Sequence, residues 1–282
     1  MAENTNIEWA DGSWSPWEGC EKVSLGCKFC YAEQRDKQYH AGAHWGTSGV
    51  RKMMSESYWQ KPLAWNRKAA AEGKKLRIFA SLCDPFENRP ELIDPRHRFN
   101  LLIEATPHLT WLLLTKRPEN VADSVPVKWL FSRDWPSNVR LGVSVENQEW
   151  ADKRREAFAA LPGSKFVSYE PALGPVDWTG WEFVDQFISG GESGKDKGIR
   201  PSHPDWHRAT RDWCKANGKA YFFKQWGEFG PRIVNPPVMT EEGMQFPDKE
   251  IMTRFGKKAA GRLLDGREWS EIPGINFPVE AE

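Results

Sequence analysis

The sequence has no excess of either charge and no long apolar run. Its 39 Lys and Arg residues balance 39 Asp and Glu residues, so the formal net charge is zero at pH 7. Such a chain has no overall field to attract a polyanion, and contact with nucleic acid would need a local basic groove. Apolar runs such as Trp111–Leu114 are far shorter than the roughly 20 residues of a membrane helix. We therefore expect no membrane span.

Cysteine is also scarce, with five residues in a chain of 282. The first residues are polar and acidic, without the basic start and apolar stretch of a secretory signal. We therefore predict a cytoplasmic protein with reduced thiols rather than a disulfide framework. Hydrophobic residues make up 39% of the chain and charged residues 28%, which is typical of globular proteins. The length allows one large α/β barrel or two ordinary domains.

Short runs of β-branched, aromatic and aliphatic residues predict strands that are buried on both faces. Six such runs are Leu76–Cys83, Trp111–Thr115, Val139–Val145, Lys165–Tyr169, Phe183–Ser189 and Ala220–Phe223. A seventh, Ser13–Trp17, contains Pro16 and is therefore expected to be an edge or irregular strand.

Helical signals lie between most of these runs. Asp94-Pro95 is a capping pair, Asn147 precedes an amphipathic stretch, and a helix that Pro204 opens is closed by Gly218. Prolines and glycines between residues 170 and 182 predict a short or missing helix there. Alternating strands and helices favour a parallel sheet. We predict an α/β fold, a partial or nearly complete (β/α) TIM-like barrel of about six to seven parallel strands.

The pattern changes near Gly230, where prolines become frequent and one short helix, near Lys257–Leu264, is predicted. We therefore assign residues 1–229 to the barrel and residues 230–282 to an irregular C-terminal appendage or lid. Most of the 16 tryptophans are expected to pack in the core. Cys214 is also expected to lie in the core. His203 and His207 are expected to lie at the start of a helix and not to bind a metal.

Three cysteines are concentrated on one predicted loop. Cys20, Cys27 and Cys30 have the spacing C-x6-C-x2-C after the first strand, which suggests a metal site. A closed zinc site or a saturated iron–sulfur cluster needs four ligands. Either a distant residue such as His40, His44 or Cys83 completes the set, or one metal position stays open for a substrate.

This loop, with its segment Cys27-Lys28-Phe29-Cys30-Tyr31, resembles the cluster loop of radical S-adenosylmethionine enzymes. More closely, the chain resembles a phage-associated family of radical-SAM-like proteins of uncharacterised function. The matching stretches are Trp14–Cys20, Leu112–Asn120, Gly142–Asn147, Gly190–Gly194 and Phe223–Glu228. One departure is the first cysteine gap, which is longer than the C-x3-C-x2-C spacing common in the superfamily.

The resemblance implies that Cys20, Cys27 and Cys30 bind a [4Fe-4S] cluster whose unique iron takes S-adenosylmethionine. An electron from an external donor would then release a 5′-deoxyadenosyl radical, which abstracts hydrogen from a substrate. The sequence does not identify that substrate. The phage association makes a nucleic acid or nucleotide one candidate class, which the neutral charge does not support.

Functional groups of parallel barrels project from the carboxyl ends of strands, where this chain has many polar residues. Cys83, Lys116 and Lys224 are candidate catalytic residues, and a thiol at Cys83 could donate hydrogen to a carbon radical. By the resemblance, the candidate cofactor contacts are Phe29 for adenine, Ser144 and Glu146 for the ribose or amino group, and Gly190, Gly191 and Glu192 for the methionyl end.

Alternatives exist for each assignment. Lysines and glutamates at the strand ends could form ion pairs on the rim, Phe29 could pack on its own loop, and Cys83 could be a small core residue. The cysteines could form a structural zinc site with His40 or His44, or the barrel could have kept a cluster and lost catalysis. A further alternative is a metal-stapled module that binds nucleic acid or protein, with exposed tryptophans as stacking surfaces.

Overall fold

A computed structural model describes residues 5, 7–231, 243–248 and 250–274 of the chain. The described residues fall into two compact units. The first lies within Met1–Ser144 and Lys153–Lys165, and the second within Val145–Asp152 and Phe166–Glu282.

Strands and helices alternate along most of the chain. The strands are β1 (Gly12–Ser13), β2 (Trp17–Glu18), β3 (Lys52–Met53), β4 (Leu76–Phe79), β5 (Leu109–Thr115), β6 (Val139–Ser144), β7 (Ser164–Tyr169), β8 (Gln186–Gly190), β9 (Ala220–Gln225), β10 (Phe229–Pro231), β11 (Gly243–Gln245) and β12 (Ile251–Arg254). The α-helices are α1 (Tyr31–His40), α2 (Glu56–Trp59), α3 (Lys61–Ala71), α4 (Ile93–Glu104), α5 (Val121–Ser124), α6 (Gln148–Ala159), α7 (Pro204–Ala216) and α8 (Lys257–Ala260).

Seven strands form a parallel sheet in the order β1-β4-β5-β6-β7-β8-β9. Its register aligns Gly12 with Ile78 and Leu76 with Leu109 in the first unit, and Phe166 with Gln186 in the second. Every residue of β8 is buried, as expected for a strand that is covered on both faces. The predicted α/β fold with a partial (β/α) barrel of six to seven parallel strands is confirmed.

Several predicted strand bounds are wrong in informative ways. The run Ser13–Trp17 is split: β1 pairs with the parallel sheet, whereas β2, beyond Pro16, pairs with β3 in an antiparallel ribbon. The run Leu76–Cys83 pairs only over β4, because its second half leaves the sheet to line a cavity described below.

Two of the three predicted helix starts have the predicted cap. Helix α4 begins at Ile93 with Leu92 as its N-cap, so the predicted N-cap Asp94 is wrong and lies in the first turn of the helix. The Asn147 side chain accepts a hydrogen bond from the Trp150 backbone N–H, 3.2 Å away, at the start of α6. Helix α7 begins at Pro204, and its N-cap His203 accepts a bond from the Asp205 N–H, which confirms a capping role. No helix lies between β7 and β8, as predicted.

Tryptophans fill the core of each unit. In the first unit Trp14 is fully buried and contacts the rings of Tyr58, Trp59, Phe99 and Trp111 at centroid distances of 4.9 to 5.6 Å. All 16 tryptophans lie in the described part of the chain, and none is exposed. The packing prediction is therefore confirmed. The expectation of exposed tryptophans as stacking surfaces is wrong, because their apolar area is covered by the two cores.

The segment after β9 contains more regular structure than its prolines suggest. Strands β10, β12 and β11 form a small antiparallel sheet, and α8 is the predicted short helix. The predicted domain boundary after residue 229 falls within β10 and stays a prediction. Pro236 and Pro237 lie outside the described residues. Among the helices that the structure describes, none has both the length and the apolar character that crossing a membrane requires.

Candidate functional site

The cysteine loop begins at a glycine that the local backbone requires. Gly19 follows β2 with φ of +117°, a conformation that favours glycine. A Cβ atom at this position would lie 2.2 Å from the His44 carbonyl oxygen. The next residue, Cys20, accepts a backbone hydrogen bond from Gly46 at 3.0 Å. The start of the cysteine loop therefore packs closely against residues 44–46, through the approach of Gly19 to His44 and the hydrogen bond between Gly46 and Cys20.

The other two cysteines lie at the entrance to helix α1. Cys27 ends a 3-10 turn over Leu25–Cys27, and its Sγ lies 3.8 Å from the Ser24 hydroxyl. Cys30 is the N-cap residue of α1. The short turn followed by the helix start brings the loop back toward the sheet.

Cys20, Cys27 and Cys30 line one cavity of about 140 Å³ in the first unit. Its other walls are the segments that follow three parallel strands: residues 80–84 after β4, Lys116 and Arg117 after β5, and Ser144 at the end of β6. The cavity therefore lies at the carboxyl ends of these strands, where barrel enzymes place their active sites. Cys83 lines the same cavity.

A buried ion pair supports the wall of this cavity. The Arg117 guanidinium contacts the Asp84 carboxylate at 3.0 Å, and both side chains are less than one tenth exposed. Asp84 also accepts bonds from the Thr115 hydroxyl at 2.7 Å and from two backbone N–H groups, of Phe86 and Lys116. The carboxylate is thus fixed by four donors, and it in turn fixes the guanidinium.

Arg117 connects this pair to the cysteine loop. It donates one hydrogen bond to the Glu21 carbonyl oxygen at 2.8 Å and another to Cys20 Sγ at 3.7 Å. A guanidinium keeps its charge at all relevant pH values and presents several N–H groups in a rigid plane. Cys20 is therefore held from the sheet side by a buried positive charge.

Cys20, Cys30 and Cys83 are in an environment that favours their neutral thiols. Burial and the Asp84 carboxylate together raise the pKa of Cys20 to about 12, although the Arg117 guanidinium opposes them. Burial also raises the pKa of Cys30 and raises that of Cys83 well above its ordinary value. These thiols keep their protons at neutral pH unless a bound cation replaces them.

The spacing of the cysteine sulfurs bears on what they could hold. In the described part of the chain, two groups of side chains place all their ligand atoms within 4.8 Å of one another, and neither contains a cysteine. One of them joins His40 and His44 to carboxylates. The three cysteine sulfurs therefore do not all lie within 4.8 Å of one another, as the ligands of a single ion do, although the three residues line one cavity. The histidines named as possible zinc ligands lie with acidic partners instead.

Lys116 and Ser144 line the cavity as well, and Phe29 does not. The Phe29 ring is half-buried, with the Lys28 ammonium 5.1 Å from its centre. Tyr31 is an aromatic wall residue, and its hydroxyl donates to the Ser81 carbonyl oxygen at 2.6 Å. An adenine contact by Phe29 stays a prediction.

The remaining predicted site residues belong to the second unit. Lys224 forms an ion pair with Glu170 at 2.8 Å, which is the kind of rim pairing that the sequence allowed. The Glu192 carboxylate is bound by Arg200 through its backbone N–H at 3.0 Å and its guanidinium. Glu146 is fully buried.

Two predicted glycines lie where strands β8 and β9 end. A Cβ atom on Gly191 would lie 1.9 Å from the Trp226 carbonyl oxygen, and the Gly191 N–H donates to the Gln225 carbonyl oxygen at 2.9 Å. A Cβ atom on Gly190 would lie 3.0 Å from a Glu170 carboxylate oxygen. Close backbone approach therefore accounts for Gly191, whatever its role toward a ligand, whereas the nearest neighbour of Gly190 is a side-chain oxygen.

Sequence reasoning singled out Lys116 and missed its neighbour Arg117, together with Asp84. Arg117 follows Lys116 and Asp84 follows Cys83, so the sequence already showed that both residues come just after predicted strands. Their pairing was not, since it joins residues 33 positions apart.

Comparison with known proteins identifies a family without an assigned activity. No curated protein and no solved structure matches the chain. A family model described as "Protein of unknown function (DUF5131)" matches residues 4–273, well over half of the 282 residues. The chain therefore belongs to the DUF5131 family of proteins of unknown function.

Proposed function

We propose that this protein is a radical S-adenosylmethionine enzyme whose Cys20, Cys27 and Cys30 hold a [4Fe-4S] cluster. The observation that carries the proposal is that these three cysteines line one cavity at the carboxyl ends of β4, β5 and β6. A structural zinc site could lie anywhere in the fold. The active site of a barrel enzyme lies at the carboxyl ends of the strands, because the catalytic groups converge there.

The donor set fits such a cluster better than it fits one metal ion. Iron–sulfur clusters are held by cysteine thiolates. In a cubane cluster each cysteine binds a different iron, so the sulfurs surround the cluster and do not converge on one point. Three cysteines that line one cavity without converging on one point support this assignment, and three ligands would leave one iron for a substrate. When bound, the cluster would supply the electron that cleaves S-adenosylmethionine.

The chain's own residues would bind, orient and exclude water. Arg117 donates an N–H to Cys20 Sγ and so stabilises negative charge on that sulfur. Leu82 and Leu114 form apolar wall and limit the access of water to the cavity. Lys116 and Ser144 offer polar groups from the same wall, and Ser144 retains its proposed contact with the cofactor.

Further assignments concern the second unit by itself and rest on the family resemblance. Glu146, Gly190, Gly191 and Glu192 remain the proposed contacts for the amino, ribose and methionyl groups, and Lys224 a proposed catalytic residue. Because Glu192 is already paired with Arg200, we expect these two residues to act together toward a ligand. The substrate class stays open, with a nucleic acid or nucleotide as one candidate that the balanced charge does not favour.

Cluster binding is tested by anaerobic reconstitution with iron and sulfide. We expect four irons and four acid-labile sulfides per chain, together with a thiolate-to-iron absorption band. The variants Cys20→Ala, Cys27→Ala and Cys30→Ala should each lose most of this iron. The matched control is Cys214→Ala, because Cys214 is buried in the second unit, whereas the cysteine loop belongs to the first. A chain that takes up only zinc, or iron uptake that survives all three loop substitutions, refutes the proposal.

Catalytic competence is tested separately. The reduced, cluster-loaded protein is mixed with S-adenosylmethionine, and 5′-deoxyadenosine is measured by liquid chromatography with mass detection. We expect its formation by the wild-type chain and none by Cys30→Ala. Cluster loading without 5′-deoxyadenosine would leave a barrel that holds a cluster and lacks this activity.

Cys83 is the proposed hydrogen donor to a substrate radical. Cys83 lines the same cavity, so its thiol is a candidate to face a ligand held there. The S–H bond would break as a C–H bond forms, and an electron from the external donor with a proton from solvent would restore the thiol. Cys83→Ala should keep 5′-deoxyadenosine formation and lose substrate turnover. Unchanged turnover in this variant would rule out the role.

A further inference from the structure

A second group of metal-ligating side chains lies in the first unit, outside the cysteine cavity. It consists of Glu18, Asp36, His40 and His44, whose ligand atoms all lie within 4.8 Å of one another. Glu18 and Asp36 are buried, whereas the two histidines are partly exposed. None of the four lines the cavity of the three cysteines. The group is therefore not explained by the proposed cluster site.

Local structure brings the four residues together. Asp36 and His40 lie one turn apart on α1 and so share a face of the helix. The helix ends at Ala41 in a left-handed conformation, with φ of +53°, and the chain then reverses. This reversal returns His44 to Asp36: its backbone N–H and its Nδ1 lie 3.1 and 2.6 Å from the two carboxylate oxygens. Glu18 approaches from strand β2.

The histidine rings are oriented in the manner of a metal site. Metal-bound histidines commonly have a carboxylate on one ring nitrogen, which fixes the ring and leaves the other nitrogen for the ion. Asp36 has both roles available: its Oδ1 lies against His44 Nδ1 and fixes the ring, and its Oδ2, which accepts the His44 backbone N–H, keeps a further lone pair for the ion. The centre of the His40 ring lies 5.0 Å from that of His44, and His40 Nε2 lies 3.7 Å from Glu18 Oε2.

Positive charge is already attracted to this position. The Lys52 ammonium lies 3.3 Å from both Glu18 Oε2 and His40 Nε2, and Arg35 contacts the other Glu18 oxygen at 3.3 Å. The Lys52 side chain is 40% exposed, so its ammonium can withdraw into solvent, and Arg35 still contacts the buried Glu18 carboxylate when it does. Lys52 therefore stands where an ion would bind and can be displaced by one.

We propose that Glu18, Asp36, His40 and His44 bind one divalent first-row transition metal ion, in competition with the Lys52 ammonium. Two imidazole nitrogens and two carboxylate oxygens suit ions such as Mn²⁺, Fe²⁺ or Zn²⁺ and lack the thiolates that soft ions select. The site is independent of the proposed cluster, because it shares no ligand with it.

Mn²⁺ is the probe that separates this site from the cysteines, since it prefers oxygen and nitrogen ligands over thiols. The metal-free chain is titrated with Mn²⁺, and free Mn²⁺ is measured by electron paramagnetic resonance. We expect one ion per chain. His40→Gln and His44→Gln should each weaken binding by at least about tenfold, as loss of a ligand or its partner does. The matched control, His97→Gln, changes an exposed histidine on α4 and should leave binding unchanged.

Lys52→Met provides the reverse test. Removal of a positive charge from beside the ligands should tighten Mn²⁺ binding, on the order of tenfold. A misfolded variant could lose binding but could not gain it. Absence of Mn²⁺ binding in both the wild-type chain and Lys52→Met overturns the proposal. Binding that is equally tight in wild type, His40→Gln and His44→Gln overturns it as well. Neither result would bear on iron loading at the cysteines.

Discussion

Removal of the buried Arg117 guanidinium should be among the most costly single changes in the first unit. Arg117→Met keeps much of the apolar stem, but it leaves the Asp84 carboxylate buried beside the cavity without its ion partner. Breaking a buried pair by removing one partner costs about 3 to 5 kcal/mol. The variant also loses the bond to the Glu21 carbonyl oxygen, which holds the start of the cysteine loop. We therefore expect a loss within that range in the free energy of unfolding.

The matched control is an exposed arginine pair in the same unit. Arg98 contacts Glu56 at 2.5 Å, but the two side chains are 40% and 77% exposed. Solvent weakens such a pair, so Arg98→Met should cost less than about 1 kcal/mol. Both variants are compared by urea unfolding of the metal-free chain at pH 7, followed by tryptophan fluorescence.

A double variant distinguishes a lost ion pair from lost packing. Asp84→Asn removes the charge that Arg117→Met leaves uncompensated, so the combined variant should regain part of the stability that Arg117→Met loses. If Arg117→Met lowers the free energy of unfolding no more than Arg98→Met does, the Arg117–Asp84 ion pair does not stabilise the cavity wall and our interpretation is wrong. If the double variant loses the sum of two large costs, packing rather than charge supports the wall.

Further predictions concern the second unit. Gly191→Ala would place a methyl group 1.9 Å from the Trp226 carbonyl oxygen and should destabilise the chain by about 3 kcal/mol or more, whereas Gly243→Ala, with no contact closer than 3.5 Å, should change stability by less than about 1 kcal/mol in the same urea assay. Burial lowers the pKa of His207 to about 3, so the folded chain keeps this ring neutral while the unfolded chain, with a pKa of about 6.5, takes up a proton. Stability should therefore fall as the pH drops from about 6.5 toward 3, by about 1.4 kcal/mol per pH unit from this residue, and His207→Gln should show a correspondingly shallower pH dependence. Equal slopes for the two chains between pH 6.5 and 5 would contradict this origin.

The parts of the fold that were predictable have a local physical cause. Most residues of strands β5 to β9 are buried, so their sequences are rich in aliphatic and aromatic residues, which can be recognised without knowledge of their neighbours. The starts of α6 and α7 were predictable because a cap acts within a few residues. The first strand was not, since Pro16 only showed that pairing would be irregular. Which partner each half would take depends on β3 and β4, far along the chain.

The candidate site likewise has a part that was predictable from local sequence and a part that was not. The spacing of Cys20, Cys27 and Cys30 pointed to a metal because three thiols within eleven residues concentrate ligands on one loop. Nothing local could show that His40 and His44 turn toward Glu18 and Asp36 and not toward those thiols. That outcome depends on the left-handed turn at Ala41 and on the ribbon that carries Glu18.

The sequence by itself determined the alternation of strands and helices, the identity of the cysteine loop and the position of polar residues at the strand ends. These features arise from periodicity, capping and spacing, which act between residues that are near each other in the chain. Only the tertiary structure decided that Arg117 meets Cys20 across 97 residues and that Asp84 holds it there. The physical reason is that the partner of a buried charge is selected by packing of the whole sheet, because each buried charge must find its compensation among whatever side chains the fold brings to it.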